Sequence, residues 1–247
     1  MASRRGLPIR WRLLAAVVVA LVRLVRWRID VQGLRHVPQE GGAVLAFNHH
    51  SYVDFIMLAW APVRLLRREI RFLAKREIWE SRRVRWVVEL ARAVPVDRHS
   101  AKARSGAFDA AIEALKDGDL VAVAPEQTIS RSFELLPFRT GAVRMAQEAG
   151  VPIIPVIGWG SHRFATKGYE PKLQTRLPVT VRYGEPFHVS PEDDPKEATT
   201  RLRDRMVAML HDVQETYPDG HPDDEPWVPA RLGGRAPTPD EVTSDDG

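Results

Sequence analysis

The 247-residue sequence predicts an α/β fold, a mixed β-sheet with helices on its faces, preceded by a basic and apolar helix. Short runs of β-branched and apolar residues recur through the middle of the chain, and segments with helical periodicity separate them. This alternation is typical of sheets that are covered by helices. Hydrophobic residues make up 44% of the chain, which is enough for one globular core. We therefore predict one α/β domain over residues 29–217.

Composition and charge limit the possible functions. The chain has no cysteine, which excludes disulfides, thiolate catalysis and cysteine-ligated metals. Residues 1–104 hold 21 Lys and Arg against 8 Asp and Glu, whereas the rest of the chain is acidic. A basic first half indicates an anionic partner, either lipid headgroups or nucleic acid. Because no nucleic-acid-binding motif occurs, we expect lipid and no nucleic acid.

Residues 1–28 combine an apolar run with flanking arginines and tryptophans. The uncharged run at 13–22 has ten residues, half of the roughly 20 that a spanning helix needs. Trp11 and Trp27 flank this run, where indoles favour the headgroup level. We expect an interfacial helix that attaches the protein to the cytoplasmic face of a membrane. A buried core helix, a spanning helix and a signal peptide are the alternatives.

Residues 29–217 supply the predicted elements of the domain. Strands are predicted at residues 29–33, 43–47, 70–74, 93–98, 120–124, 151–156 and 178–184. Helices are predicted from residue 55, and at residues 81–90, 100–116, 138–149 and 196–217. Residues 218–247 contain six prolines and eight acidic residues against two basic ones. That composition predicts a disordered acidic tail.

One polar block, residues 48–54, separates the predicted strand 43–47 from the helix that follows. Strand-to-helix junctions are where α/β proteins place chemistry. A histidine exchanges protons near neutral pH, and a nearby carboxylate can orient it. In a helix His50 and Asp54 share a face, whereas His49 meets Asp54 only if it precedes the helix. Spacing alone slightly favours His50, and a plain helix N-terminus with surface histidines is the structural alternative.

The block Asn48-His49-His50-Ser51-Tyr52-Val53-Asp54 resembles the N-H-x-S-x-x-D motif of the glycerolipid acyltransferases, the 1-acylglycerol-3-phosphate O-acyltransferase family. Three later segments, at residues 93–98, 125–132 and 151–156, resemble further blocks of that family in the same order. The resemblance covers most of residues 29–217. It implies an α/β fold, which the alternation of strands and helices predicts independently.

The resemblance implies transfer of a fatty acyl group to the free hydroxyl of a lysophospholipid, in the first place 1-acylglycerol-3-phosphate. The donor would be an acyl thioester of coenzyme A or of an acyl-carrier protein. No metal or other cofactor is expected, because the thioester already carries the activation. The resemblance makes His49 the general base and Asp54 its orienting partner. The expected substrate-binding residues are Arg98, Glu126, Thr128, Arg131 and Arg139.

The third block departs from the family pattern at two positions. Gln127 stands where the family has glycine, and Ile129 stands where it has an arginine that helps to hold phosphate. Arg131, two positions on, is a candidate to replace the lost charge. These departures keep open another lysolipid or a glycolipid as acceptor. A non-catalytic membrane-binding protein is a further alternative.

Overall fold

The structure is a computed structural model that describes residues 9–75, 89, 94–96, 101–222 and 225–245. Within these ranges, seven strands form one sheet: β1 (Arg28–Gln32), β2 (Ala43–Phe47), β3 (Ile70–Lys75), β4 (Val94–Val96), β5 (Leu120–Val123), β6 (Ile153–Trp159) and β7 (Pro178–Tyr183). The α-helices whose full extent falls in the described residues are α1 (Ile9–Leu24), α2 (Asp54–Ala61), α3 (Ala101–Lys116), α4 (Gly141–Ala149), α5 (Pro195–Glu215) and α6 (Pro239–Asp245). The predicted helix at 81–90 lies outside the described residues, apart from residue 89.

The sheet has the strand order β1-β7-β6-β2-β5-β3-β4. Every neighbouring pair in it is parallel except β6 and β7, which run antiparallel. The predicted mixed sheet with helices on its faces is therefore confirmed. Because β2, β5 and β6 are parallel neighbours, their carboxyl ends meet at one edge of the sheet.

Strand β2 lies between β5 and β6, and all five of its residues are buried. Val44 and Ala46 point into a core layer shared with α3, α4 and α5. Leu45 and Phe47 point the opposite way, into a layer shared with α1 and α2. A strand that is covered on both faces needs a continuous apolar run, which explains why β2 could be predicted from the sequence.

Helix α1 packs on the domain with one face. Trp11 and Val22 are buried in the second core layer, and Trp11 Nε1 donates a hydrogen bond to Glu69. The opposite face carries a row of exposed apolar side chains: Ile9, Leu13, Val17, Leu21 and Leu24. Among the described residues, no helix has both the length and the apolar character needed to cross a bilayer.

The prediction of a disordered tail at 218–247 is wrong for residues 225–245, which we call the C-terminal segment. Trp227 and Val228 are buried in the first core layer, and Val242 is buried as well. The Trp227 ring lies 4.7 Å from the Arg163 guanidinium carbon and 5.6 Å from the His162 ring. Composition failed here because a few large apolar side chains anchor a segment that is polar and proline-rich on average.

Candidate active site

His49 follows the carboxyl end of β2, at the edge of the sheet where β5 and β6 also end. Helix α2 begins at Asp54, so His49 precedes the helix. The Nδ1 atom of His49 donates a hydrogen bond to Oδ2 of Asp54 over 3.2 Å. With its proton held at Nδ1, the ring has Nε2 as its acceptor. The structure therefore brings together the two residues predicted as base and orienting partner.

Asp54 is 4% exposed and is fixed by three further hydrogen bonds. Its Oδ2 accepts the backbone N–H groups of His50 and Ser51, each over 2.7 Å. Its Oδ1 accepts the hydroxyl of Ser161 over 2.9 Å. Donors of this kind stabilise an ionised carboxylate and fix its orientation. The His49 side chain is 26% exposed, so the ring is accessible while its partner is not.

His50 is fully buried, and its hydrogen bond to Asp54 comes from its backbone N–H and not from its ring. Burial lowers the pKa of His50 to about 4, and Asp54 opposes this shift only in part. The ring packs 5.8 Å from the Trp159 ring and 6.1 Å from the Phe133 ring. The preference for His50 drawn from helical spacing is wrong, because residues 48–53 are not helical.

Asn48 joins the end of β2 to the neighbouring strand β6. Its Oδ1 accepts the Gly158 N–H over 2.7 Å, and its Nδ2 donates to the Gly158 carbonyl over 2.9 Å. The same Nδ2 lies 3.1 Å from Nδ1 of His50. Asn48 is 1% exposed, so this amide pairing is protected from water. It fixes the strand end from which His49 projects.

Glu126 holds the backbone of His49. Its Oε1 accepts the His49 N–H over 2.9 Å, and its Oε2 accepts the Leu136 N–H over 2.9 Å. Burial raises the pKa of Glu126 to about 8, although both N–H groups favour the ionised form. The structure thus places the Glu126 side chain against the backbone of His49. The predicted contact between Glu126 and the acceptor stays a prediction.

The loop that joins β5 to α4 supplies both backbone partners of His49. Ser130 donates its backbone N–H to the His49 carbonyl over 2.8 Å, which complements the bond from Glu126. Gln127 adopts a left-handed conformation with φ of 60°. It does so at the position where the resembled family has glycine, the residue that adopts this conformation without strain.

The remaining predicted site residues occupy several environments. Arg98 lies outside the described residues. Arg139 is exposed, Thr128 and Arg131 are half-buried, and Ile129 is buried. Burial raises the pKa of Tyr169, and the positive charge of Arg131 opposes this rise only in part. Contacts of these side chains with an acceptor stay predictions.

Sequence reasoning missed Ser161, which donates its hydroxyl to Asp54. No local pattern marks it, because Ser161 and Asp54 are 107 residues apart in the chain. Gly160 provides the only neighbouring signal. It precedes Ser161 with φ of 100°, and a Cβ atom there would lie 2.2 Å from the Pro178 carbonyl oxygen. A glycine is therefore needed for the turn that delivers Ser161.

The sequence is similar to those of known proteins. A family model described as Acyltransferase matches residues 28–159. A 1-acyl-sn-glycerol-3-phosphate acyltransferase from Bacillus subtilis (strain 168) is 27% identical over 173 residues, which cover 70% of this chain and 80% of that protein. One from Limnanthes douglasii is 29% identical over 188 residues, covering 75% of this chain and 61% of that protein. The chain thus spans less than two thirds of the Limnanthes protein.

A solved structure shares the fold. The crystal structure of the 1-acyl-sn-glycerophosphate (LPA) acyltransferase PlsC from Thermotoga maritima matches with a TM-score of 0.67 at 23% identity. The match covers 84% of this chain and 80% of the Thermotoga chain. Residues 28–159 contain β1 to β6 and the His49–Asp54 pair, so the family match includes the candidate active site. Since the match spans more than half of the chain, the protein belongs to the acyltransferase family.

Proposed function

We propose that the protein transfers a fatty acyl group from an acyl thioester to the free hydroxyl of 1-acylglycerol-3-phosphate, giving phosphatidic acid. The observation that carries this proposal is the accessible His49 ring with its Nδ1 bonded to buried Asp54. The names of the Bacillus and Limnanthes relatives support the acceptor. Coenzyme A or an acyl-carrier protein would carry the donor thioester.

In the proposed reaction, Nε2 of His49 takes the proton from the acceptor hydroxyl as its oxygen attacks the thioester carbonyl. A C–O bond forms, and the carbonyl π electrons move to the oxygen of a tetrahedral intermediate. Collapse of this intermediate breaks the C–S bond, and the proton on His49 passes to the departing thiolate. Asp54 stabilises the imidazolium that exists between the two transfers. General base catalysis of this kind contributes about 10² to 10⁴ in rate.

The phosphate of the acceptor requires cations close to the base. Arg98, Arg131 and Arg139 are the proposed phosphate-binding residues, and Thr128 is proposed to contribute a hydroxyl. Charge-assisted hydrogen bonds to a phosphate would hold the acceptor hydroxyl near His49, so that binding energy is converted into positioning.

A membrane surface is the proposed location of the reaction, because acyl chains partition into bilayers. Exposed Leu13 and Leu21 on α1 are the proposed points of contact, and exposed Arg12 and Arg23 would bind anionic headgroups. Replacing both leucines by glutamine should reduce sedimentation with vesicles that contain phosphatidylglycerol. Ala208→Gln, an exposed change on α5 at the opposite face of the sheet, should leave it unchanged.

The test of the reaction is release of free thiol from acyl-CoA by the purified protein. Wild-type protein should release thiol only when lysophosphatidic acid is present, and His49→Ala should reduce the rate by at least about 10². Release without the acceptor would indicate a thioesterase instead. If the wild type is inactive, the same assay with an acyl-carrier-protein thioester distinguishes a wrong donor from a wrong reaction.

A second acceptor class is favoured by one observation. Ile129 is 7% exposed and stands where the resembled family has a phosphate-binding arginine. An acceptor site with fewer phosphate-binding residues would accept another lysolipid or a glycolipid. Comparing lysophosphatidic acid with a monoacylated glycolipid in the same thiol assay decides between these acceptors.

A further inference from the structure

The loop that joins β5 to α4, residues 124–140, holds two residues in a strained backbone conformation. Gln127 has φ of 60° and Phe133 has φ of 57°. Both values lie in the left-handed region, which is unfavourable for residues other than glycine. Such conformations persist only where the surrounding structure enforces them. The same loop supplies the two hydrogen bonds to the backbone of His49. What holds the loop therefore also holds His49.

Side chains of helix α5 donate hydrogen bonds to backbone carbonyls of this loop at residues 133–136. Gln214 Nε2 donates to the Phe133 carbonyl over 2.9 Å. The guanidinium of Arg203 donates to the Leu135 carbonyl over 2.7 Å and to the Leu136 carbonyl over 3.1 Å. These bonds enforce the strained conformation at Phe133.

Glu134 lies between these carbonyls and connects the loop to two side chains outside it, His211 and Arg231. Its side chain is 14% exposed; Oε2 lies 2.9 Å from Nε2 of His211, and Oε1 accepts from Nε of Arg231 over 3.3 Å. Its carbonyl accepts the Ser130 hydroxyl over 2.7 Å. The backbone N–H of Ser130 donates to the His49 carbonyl over 2.8 Å. Three consecutive contacts thus run from Arg231 through Glu134 and Ser130 to His49.

Arg231 comes from the C-terminal segment and also binds α5. Its guanidinium donates to Oε1 of Gln214 over 2.6 Å and to Oε1 of Glu215 over 3.4 Å. Arg231 therefore connects Glu134 of the loop to Gln214, which binds the Phe133 carbonyl. Buried Trp227 anchors the start of the segment, so Arg231 is presented from a fixed position.

We propose that Glu134, His211 and Arg231 are positioning residues for His49, and that the C-terminal segment serves catalysis through Arg231. The kinetic part of this inference rests on the proposed acyl transfer. Loss of Arg231 would let the 124–140 loop relax toward an unstrained conformation. The backbone of His49 would then move relative to Asp54 and the acceptor. A displacement of about 1 Å in a reacting group can reduce a rate by on the order of 10².

The experiment compares Arg231→Ala, Arg231→Lys and Arg205→Ala. Arg205 is the matched control, because it pairs with Glu185 over the same 3.3 Å and belongs to α5 but not to this contact chain. Arg231→Ala should lower kcat by about 10-fold to 10²-fold with little change in KM. Arg231→Lys should recover part of kcat, and Arg205→Ala should match the wild type.

Amide hydrogen exchange provides a readout that does not depend on activity. In Arg231→Ala, peptides covering residues 47–53 and 124–136 should exchange faster, while peptides from β7 should not. Unchanged exchange in the first two peptides would overturn the inference, as would a wild-type kcat. Faster exchange throughout the protein would also overturn it, since Arg231 would then contribute only to global stability.

Two further outcomes are separable. If the wild type has no acyltransferase activity, the proposed reaction fails, and hydrogen exchange alone decides whether Arg231 positions His49. If Arg231→Ala does not fold, Glu134→Gln replaces it, because glutamine keeps the volume but removes the carboxylate that contacts His211 and Arg231. It should change kcat and exchange in the same direction; wild-type values for both would overturn the inference.

Discussion

Nδ1 of His49 lies 3.2 Å from Oδ2 of Asp54 because the same carboxylate oxygen also accepts the backbone N–H groups of the two residues that follow His49, His50 and Ser51. The non-helical turn at residues 48–53 is thus built around the carboxylate. This arrangement makes the pair dependent on a group with two acceptor oxygens.

Asp54→Asn should lower kcat by about 10² to 10⁴. With the amide nitrogen at the position of Oδ2, the side chain cannot accept a hydrogen bond from Nδ1 of His49, and the amide hydrogens face the donors at that position. It should also destabilise the fold by about 1–3 kcal/mol through unpaired backbone donors. The measurements are thiol release and urea denaturation. Ser161→Ala, which removes only the donor to Oδ1, is the matched control and should have a smaller effect on kcat. A wild-type kcat in Asp54→Asn would show that the carboxylate does not orient His49.

Acid should destabilise the protein through His50. Burial lowers its pKa to about 4, whereas the unfolded chain binds this proton near 6.5. Between these values the unfolded state holds more protons, so stability falls as pH decreases from 6.5 to 4, by about 1.4 kcal/mol per pH unit. Denaturation of His50→Gln at several pH values should show this contribution removed. Equal slopes in the wild type and in His50→Gln would mean that His50 binds a proton in the native state.

Glu126 should act in the opposite direction. Burial raises its pKa to about 8, whereas the unfolded carboxyl group titrates near 4.5. The native state holds the proton between these values, so stability falls as pH rises from 4.5 to 8, again by about 1.4 kcal/mol per pH unit. The contribution should be absent in Glu126→Gln and present in Glu185→Gln, which changes an exposed carboxylate. A pH-independent difference between the wild type and Glu126→Gln would contradict the raised pKa.

Gln127→Gly should stabilise the protein by about 1 kcal/mol, because glycine adopts the left-handed conformation without the strain of a Cβ atom. The side chain of Gln127 is exposed, so little packing is lost. Gln127→Ala is the control and should show no such gain, because alanine retains Cβ. Thermal denaturation measures both variants. Equal stability of the glycine and alanine variants would show that strain at Gln127 is small.

Trp227→Ala should destabilise the protein by about 3 kcal/mol, because it removes a buried ring that packs on His162 and Arg163. Leu173→Ala is the control, since Leu173 is 72% exposed and should change stability by less than about 0.5 kcal/mol. Limited proteolysis of Trp227→Ala should begin within the C-terminal segment. Wild-type stability in Trp227→Ala would support the original expectation of a disordered tail.

The central strands and the proximity of His49 to Asp54 could be predicted because their signals are local. Five consecutive apolar residues predicted β2, and a polar block directly after it predicted the position of His49. The contact of the His49 ring, rather than the His50 ring, with Asp54 needed the family motif, because it depends on the residue at which α2 begins. Sequence periodicity fixes a helix start to within a few residues only.

The supporting contacts could not be predicted, because they join distant parts of the chain. Glu126 reaches the His49 backbone across 77 residues, and Ser161 reaches Asp54 across 107. The partners of a buried polar group depend on packing, which neither spacing nor composition reveals. The order of the C-terminal segment was missed for a related reason. The packing of Trp227 on His162 and Arg163 stabilises a segment whose average composition is polar.

The position of β2 in the sheet has a consequence for synthesis on the ribosome. Its residues hydrogen-bond to β5 at 120–123 and to β6 at 153–156, so neither neighbour exists when β2 leaves the exit tunnel. At about 5–20 residues per second, β6 follows β2 only after on the order of ten seconds. During that delay a fully apolar strand has two unpaired edges, which makes the nascent chain a substrate for chaperones that bind extended hydrophobic segments.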